Sequence, residues 1–340
     1  MLRALSWLFG LFTVIGVVAA AYGWHDYQAH QDRAIDTDEA VSFTIERGWS
    51  ARRVSRELAA AGLIERPLWL DVQARLDGKA AGIRSGEYVL EPGLRVGDLL
   101  DVFADGKTVQ YAHTIIEGDA FWQMMARLQD APRLVHELPP SEAGTAARGE
   151  ALMTAIGHPE LHPEGQFFAD TYRFPSDTTD IAFLARAKRQ LDRVLAEEWE
   201  ARDEGLPLAS PYEALILASI VEKETALASE RPLIAGVFLS RLVKGMRLQT
   251  DPTVIYGIGE SFDGDIRRRD LRTDTPYNTY TRGGLPPTPI AMVGREAINA
   301  VLNPESTDKL YFVSRGDGSH QFSQNLADHE AAVRKYQLNR

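Results

Sequence analysis

The sequence predicts an α+β protein in three parts: an N-terminal transmembrane helix, a small α+β module and a larger mixed α/β domain. Three observations support this prediction. Residues 4–24 carry no charged side chain, residues 41–116 alternate between strand-like and helix-like patterns, and residues 211–226 form a helical pattern that is apolar on nearly every side. Glu224 lies near the C-terminal end of this last pattern, so the sequence predicts a carboxyl group on a buried helix.

The composition excludes several classes of protein. Of the 340 residues, 44% are hydrophobic and 25% are charged, and the formal net charge is −11. Such a chain is neither intrinsically disordered nor a polytopic membrane protein. Clusters of Lys and Arg are missing from the sequence, so we expect no nucleic-acid partner. The lack of cysteine excludes thiolate metal sites, a cysteine nucleophile and disulfide bonds.

Residues 1–25 are predicted to form a cytoplasmic tip and a single-pass transmembrane helix. An uncharged run of 21 residues is about as long as the hydrocarbon core of a bilayer is thick. Arg3 precedes the run and acidic residues dominate the linker predicted over 26–40. This asymmetry predicts a cytoplasmic N-terminus in the inner membrane and an extracytoplasmic, periplasmic chain after it. A cleaved signal peptide is the alternative, because the alanines at 19–21 imitate a cleavage site.

Residues 41–116 are predicted to form a compact module. The strand VSFTIE is followed by Ser50, a good N-cap for a helix with Val54 and Leu58 on its apolar side. The other expected elements are a helix over 68–76, a strand in GEYVLEPG, a helix over 95–103 and a strand over 109–116. The strand–helix–helix–strand order resembles LysM-type glycan-binding modules, and a generic α+β linker domain is the alternative.

Residues 117–340 are predicted to form the mixed α/β domain. The small, polar stretch PPSEAGTAARGE predicts an exposed loop over 139–150. A long amphipathic helix is expected over 181–202. The helix over 211–226 begins with Ser-Pro-x-Glu from residue 210, which is a strong helix-start signature.

Two glutamates near the end of that helix are candidate site residues. Glu224 continues the stripe of large apolar side chains that includes Leu217 and Val221, whereas Glu222 lies on a different side. Burial and the negative end of the helix dipole both raise the pKa of a carboxyl group, as a general acid requires. The alternative is that Glu224 pairs with Arg231 or faces solvent.

Polar and aromatic residues follow in two later segments. They are Gln249, Thr250, Asp251, Asn278 and Thr279, with Tyr256, Tyr277 and Tyr280 beside them. Hydroxyls, amides and flat aromatic faces suit a carbohydrate, and turn formation is the alternative role. No metal site is predicted, because prolines at 159 and 163 oppose a helix that would join His158 and His162.

Three stretches of the sequence resemble a known family. The stretches ASIVEKETALASERPLIAGVFLSRLVKGMRLQTDPTVIYGIG, TPYNTYTRGGLPPTPI and LYFVSRGDGSHQFSQNLADH are similar to the catalytic domain of the MltG (YceG-like) endolytic peptidoglycan transglycosylases. EGQFFADTYRF resembles the segment ahead of that domain, although the family more often reads EGFLFPDTY. The resemblance covers essentially the whole chain and implies a membrane anchor, a LysM-like module and a catalytic domain over 117–340.

The resemblance also implies a reaction and its residues. Glu224, in the E-K-E-T motif, would protonate the glycosidic oxygen between N-acetylmuramic acid and N-acetylglucosamine within nascent strands. Attack by the muramoyl 6-hydroxyl would then leave a 1,6-anhydro end and terminate elongation, with no cofactor. The implied substrate-binding residues are Glu222, Gln249, Asp251, Asn278 and Tyr280. Penicillin-binding synthases are the implied protein partners.

Two other functions stay open at this point. One is a non-catalytic peptidoglycan-binding scaffold for cell-wall synthases. The other is a hydrolytic muramidase, in which Asp251 or Asp274 would be the second carboxylate that such enzymes require.

Overall fold

A computed structural model of the protein describes residues 2–338. It has a mixed α+β fold, as the sequence predicts. The chain divides into two compact units: the first is Met1–Tyr111 with Phe174–Thr178, and the second is Ala112–Arg173 with Thr179–Arg340. Each unit has a hydrophobic core of its own.

The first unit contains a two-stranded sheet and helices that share its core. Its elements are α1 (Leu2–Gln31), β1 (Val41–Ile45), α2 (Ala51–Ala60), α3 (Pro67–Leu76), β2 (Gly86–Leu90) and α4 (Leu99–Asp105). β1 and β2 pair antiparallel, with Val41 opposite Leu90 and Ile45 opposite Gly86. The predicted strand–helix–helix–strand order is confirmed for these residues.

Helix α2 begins where the sequence predicts. The Ser50 side chain accepts a hydrogen bond from the Arg53 amide and caps the helix. Val54 and Leu58, one turn apart, are fully buried in the core of the unit. The chain leaves the helix through Gly62, whose φ of 76° lies in the left-handed region that favours glycine.

The N-terminal helix is longer than predicted. α1 continues past Trp24 to Gln31, and its last turns are polar. Asp26 in those turns accepts a hydrogen bond of 2.9 Å from the Trp69 indole and pairs with Arg66. Among the residues that the structure describes, no helix is both long and apolar enough to cross a membrane. The transmembrane anchor predicted for residues 1–25 is therefore not supported.

The second unit is mainly helical. From residue 110 onward the elements are β3 (Gln110–Thr114), α5 (Phe121–Gln129), α6 (Thr145–Ala155), β4 (Thr171–Pro175), α7 (Asp180–Glu200), α8 (Pro211–Glu224), α9 (Arg231–Val243), α10 (Asp251–Ile258), α11 (Arg295–Leu302), β5 (Tyr311–Ser314), β6 (His320–Ser323) and α12 (Leu326–Val333). β3 pairs with β4, and β5 pairs antiparallel with β6.

Helix α8 lies at the centre of the second unit's core. Residues 214–222 of this helix are all buried, and α9 and α11 pack against it. The Ser210 side chain accepts a hydrogen bond from the Glu213 amide and caps the helix, with Pro211 in its first turn. The prediction of a helix buried on nearly every side is confirmed.

One predicted loop is largely helical. Residues 139–150 were expected to be an exposed loop, but α6 begins at Thr145 and includes the second half of this stretch. Leu152 and Met153, which follow it, are fully buried and hold the helix against the core. The alanines at 146 and 147 are strong helix formers, so the small residues of this stretch favour helix as well as loop.

Candidate active site

Glu224 is the last residue of α8. Thr225, which follows it, has extended backbone angles (φ −143°, ψ 135°), so the helix stops at the carboxyl-bearing residue. The unpaired carbonyl groups at the end of α8 give this end a partial negative charge. The fold thus places a carboxyl group where both burial and the helix dipole disfavour ionisation.

The Glu224 carboxyl group has a neutral hydrogen-bond donor. The Thr250 hydroxyl donates to Oε2 at 2.7 Å, and within the described residues no cation lies within 4 Å of the carboxyl group. The pKa of Glu224 is raised to about 7, mainly by desolvation and also by the nearby charge of Asp251, while Thr250, His320 and Arg241 act in the opposite direction. A carboxyl group with this pKa is about half protonated near neutral pH, which suits a general acid.

Three threonine hydroxyls form a buried network behind this contact. Thr279 Oγ1 accepts a hydrogen bond of 3.1 Å from the Thr250 amide and lies 2.8 Å from Thr253 Oγ1. Thr253 in turn donates to the Thr250 carbonyl at 2.8 Å. All three side chains are buried, so the donor to Glu224 is held in place. The sequence points to Thr250 and Thr279 as polar candidates, but it gives no sign that Thr253 joins them.

Gln249 has an unusual backbone. Its φ of 51° lies in the left-handed region, which a residue with a side chain adopts at a cost. Its amide donates to the Thr279 carbonyl at 3.2 Å, and its side chain is exposed. The exposed side-chain amide of Gln249, directly before Thr250, is therefore accessible to a ligand.

Asp251 and Tyr280 contact each other beside Glu224. Asp251 is the first residue of α10, and its Oδ1 accepts a hydrogen bond of 2.6 Å from the Tyr280 hydroxyl. Burial and this carboxylate both raise the pKa of Tyr280 above its usual value, which keeps the phenol protonated. The structure thus brings two of the predicted substrate-binding residues together near the acid.

The Asn278 side chain forms its hydrogen bonds within its own loop. Its side-chain amide donates to the carbonyls of Asp270 (3.1 Å) and Thr273 (2.7 Å), and its Oδ1 accepts from the Tyr280 amide at 2.9 Å. The residue is 1% exposed, so no hydrogen-bonding group remains for a ligand. In this structure Asn278 positions Tyr280.

The Glu222 carboxylate belongs to a different cluster of charged side chains. Its carboxylate accepts from Arg231 at 2.8 Å and from the Gly294 amide at 3.0 Å, and Arg231 also binds Glu296 at 2.7 Å. The alternative pairing considered for Glu224 and Arg231 is therefore not the one in the structure, because Arg231 binds Glu222.

The second carboxylate considered for a muramidase, Asp274, is tied to its neighbours. Its two oxygens accept hydrogen bonds from Arg282 at 2.8 and 2.9 Å, and Oδ1 also accepts one from the Thr281 hydroxyl. These bonds, that from Arg282 foremost, lower the pKa of Asp274 to about 2. In the described part of the chain, no group of three His, Asp or Glu side chains could hold a metal ion.

Another carboxyl group with a raised pKa was missed in the sequence. Glu164 is 1% exposed, and both of its oxygens lie 3.0 Å from the Phe121 amide. The nearby Tyr256 hydroxyl lowers its pKa, but burial outweighs this effect and raises the pKa of Glu164 to about 7. The residue stands in the EGQFF segment, where no periodic pattern distinguishes it from a loop glutamate.

The chain is similar to known proteins over most of its length. The YceG-like family model matches residues 43–335. An endolytic murein transglycosylase of Bacillus subtilis is 29% identical over 316 residues, which cover 88% of this chain and 86% of that protein. One of Streptococcus pneumoniae is 26% identical over 371 residues, covering 96% of this chain and 64% of that protein.

A solved structure gives the same assignment. The crystal structure of a YceG-like protein from Listeria monocytogenes has a TM-score of 0.53 and 27% sequence identity with this chain, and the match covers 87% of this chain and 100% of that one. The resemblance predicted from the sequence motifs is confirmed by these matches. Because the family model spans well over half of its length, the chain belongs to the YceG-like family.

Proposed function

We propose that this protein is an endolytic murein transglycosylase with Glu224 as its general acid. The observation that carries the proposal is the state of Glu224, a partly buried carboxyl group with a pKa raised to about 7, a neutral donor and no counter-ion within 4 Å in the described residues. The relatives from Bacillus subtilis and Streptococcus pneumoniae carry this name, and their matches extend over nearly the whole chain.

The proposed reaction needs only one carboxyl group. Protonated Glu224 gives its proton to the oxygen between N-acetylmuramic acid and N-acetylglucosamine, and the bond from that oxygen to the muramoyl anomeric carbon breaks. The positive charge that develops on the muramoyl ring is stabilised by the ionised Glu224 and by the substrate's own N-acetyl group.

The same carboxylate then completes the reaction. It takes the proton of the muramoyl 6-hydroxyl while that oxygen bonds to the anomeric carbon, which closes the 1,6-anhydro ring and returns Glu224 to its protonated form. No water is consumed. A pKa near 7 serves both steps, because the group must lose and regain a proton in each cycle.

We assign the remaining predicted residues according to their contacts. Gln249, exposed and strained, and the bonded pair Asp251 and Tyr280 are placed to bind the sugars beside Glu224. Asn278 acts through Tyr280, and Glu222 stabilises the fold through Arg231.

Hydrolysis is the second candidate function, since Asp251 lies close enough to Glu224 to influence its pKa. A hydrolytic muramidase would use Asp251 to activate water or to attack the sugar. The hydrogen bond that the Tyr280 hydroxyl donates to Asp251 Oδ1 would hold this carboxyl group in position for either role.

One experiment separates the three functions. The full chain is incubated with uncrosslinked glycan strands, and the products are weighed by mass spectrometry. We expect new internal cuts with anhydro ends, lighter than reducing ends by one water. Reducing ends would indicate a muramidase, and intact strands a non-catalytic scaffold. The Glu224→Gln variant is the control for contaminating enzymes.

We further propose that the second unit acts outside the cytoplasm, where its substrate lies, and terminates the elongation of nascent strands. The residues 41–116 are proposed to be a LysM-like module, supported by the strand–helix–helix–strand order and the antiparallel pairing of β1 with β2. Attachment to the inner membrane rests on the sequence alone, and fractionation of cells under alkaline extraction tests it.

Penicillin-binding synthases are proposed as protein partners, because an enzyme that ends nascent strands must meet the enzymes that make them. Co-purification of the full chain with a purified synthase tests this proposal. The Glu224→Gln variant is also used in this co-purification, because it should not cut the glycan strands that both enzymes would bind.

A further inference from the structure

A pocket of about 210 Å³ opens next to the end of α8. Trp122 of α5, Lys223 of α8, Ile255 and Tyr256 of α10, and Phe262 lie in its walls. Drug-sized ligands occupy pockets of about 300–1,000 Å³. This smaller pocket suits a single group the size of one sugar ring.

The pocket is adjacent to the proposed acid. Lys223 directly precedes Glu224 in the chain, and α10, which begins with Asp251 beside Glu224, continues along the pocket wall. Ile255 is four residues after Asp251, about 6 Å further along the helix axis. A glycan strand that crosses Glu224 in this direction therefore reaches the pocket with a neighbouring sugar.

Aromatic rings supply the flat surface of the pocket. The rings of Trp122 and Tyr256 have centroids 5.3 Å apart and are tilted by 35°. Both side chains, and that of Phe262, are only partly buried. They leave ring surface free on which the C–H face of a sugar can stack.

Lys223 supplies a positive charge that forms no close ion pair among the described residues. The side chain is exposed, its Nζ donates to the Gly118 carbonyl at 3.0 Å, and no carboxylate of the described residues lies within 4 Å of it. An ammonium group has three donors, so further hydrogen bonds remain available. The acidic residue of the pocket, Glu260, accepts a hydrogen bond from the Thr145 hydroxyl at 3.1 Å.

The buried Glu164 fixes the walls of the pocket. Its carboxyl group accepts from the Phe121 amide, next to Trp122, and lies close enough to the Tyr256 hydroxyl to influence its pKa. One side chain thus joins the start of α5 to α10. A pocket fixed in this way is preformed, and binding loses less conformational freedom.

We propose that this pocket is a subsite for an N-acetylated sugar that carries a carboxylate, with the ring stacked on Trp122 and the carboxylate bound to Lys223. The inference rests on the proposed function and names the part of the strand that this function recognises. In peptidoglycan only the muramoyl residues carry such an acid, as a free lactyl group or on the attached peptide. The subsite would therefore fix which of the two alternating sugars lies beside Glu224.

Binding to uncut strands tests the proposal. The full chain with Glu224→Gln is titrated calorimetrically with two sets of short strands, one stripped of peptides and one with its peptides in place. Trp122→Ala is expected to raise the dissociation constant about tenfold or more for both sets, and Trp122→Phe to restore most of the affinity. Lys223→Gln is expected to weaken binding of the set whose carboxylate it contacts, which identifies the source of that carboxylate.

Lys244→Gln is the matched control, because Lys244 is also exposed and lies at the end of α9. If Lys223→Gln binds both sets as tightly as this control, or if Trp122→Ala binds them unchanged, the subsite is wrong. The wild-type chain is assayed for cutting of the same strands. Cutting without any effect of the pocket variants refutes the subsite alone, whereas intact strands refute the proposed function itself.

Discussion

The Thr250 hydroxyl donates a hydrogen bond of 2.7 Å to Oε2 of Glu224. Since that hydrogen occupies Oε2, the proton of the protonated acid belongs on the other oxygen, Oε1. The contact also favours the ionised form and so limits how far burial raises the pKa of Glu224. A single hydroxyl thus orients the acid and adjusts its strength.

Replacing Glu224 by Gln should abolish most of the activity. The amide keeps the shape of the side chain and still accepts from Thr250, but it cannot donate a proton to the glycosidic oxygen. We expect kcat on uncrosslinked strands to fall by about 10²–10⁴-fold, with little change in KM. Glu200→Gln, an exposed change at the end of α7, is the matched control, and an unchanged kcat for Glu224→Gln would refute the assignment.

Two substitutions should move the pH dependence in opposite directions. Activity requires protonated Glu224, so kcat/KM falls as the pH rises past its pKa of about 7. Thr250→Val removes a bond to the ionised form, raises the pKa and extends activity to higher pH. Asp251→Asn removes a negative charge, lowers the pKa and moves the decline to lower pH. Profiles of kcat/KM check this, with Thr250→Ser, which keeps the hydroxyl, expected to match the wild type.

The pH dependence of the free energy of unfolding should reflect the raised pKa of Glu224. The pKa of Glu224 is about 7 in the folded chain against 4.5 for the ordinary group. The protonated form therefore contributes stability that is complete below about pH 4.5 and is lost as the pH rises through about 7. The loss is on the order of 1–3 kcal/mol.

Glu224→Gln lacks this ionisation and should escape the loss. Urea unfolding of the variant and of the wild type at pH 5 and pH 8 measures it. We expect the variant to gain stability relative to the wild type between these two pH values. Equal differences at both pH values would contradict the raised pKa.

Gln249 should show a conflict between stability and binding. Gln249→Gly relieves the left-handed φ of 51° and is expected to stabilise the fold by up to about 1 kcal/mol. Gln249→Ala keeps the strain. Both remove the exposed amide, so both should raise KM for glycan strands. If the glycine variant keeps the wild-type KM, the side chain of Gln249 does not bind the substrate.

Glu222 should matter for stability more than for chemistry. Glu222→Leu removes the buried partner that Arg231 has at 2.8 Å and leaves it only exposed ones such as Glu296, and breaking a buried pair costs up to about 3–5 kcal/mol. We expect a large loss in urea unfolding, with kcat and KM nearly unchanged per folded molecule. If Glu222 binds substrate, as the resemblance implies, KM rises in place of the stability loss.

The sequence was most informative about helix α8, which lies at the centre of the second unit's core. The apolar run from Ala214 to Val221 and the Ser-Pro-x-Glu start predict α8, and Glu224 ends this helix as a partly buried residue. These signals are local, because capping and periodicity involve residues within a few positions of one another. The same reasoning predicts β1 and α2 correctly.

Capping and periodicity could not predict contacts between segments that are distant in the sequence. Thr250 is 26 residues from Glu224, and Arg231 follows a break in the helix, so the sequence could not decide between Glu222 and Glu224 as its partner. Glu164 depends on α5 and α10 for its burial. In α6, alanines between glycines and prolines support both loop and helix, and the decision comes from the buried Leu152 and Met153.

Among the described residues, no counter-ion lies within 4 Å of Glu224, and this has a consequence for the conditions under which the protein works. Dissolved salt weakens an exposed ion pair but has little effect on a partly buried group whose pKa depends mainly on desolvation and a neutral hydroxyl. An enzyme in the cell wall, as proposed above, meets the ionic strength of its surroundings directly. Its acid would keep nearly the same strength in dilute and in concentrated media, so the rate of the protonation step would follow the pH outside the cell rather than its salinity.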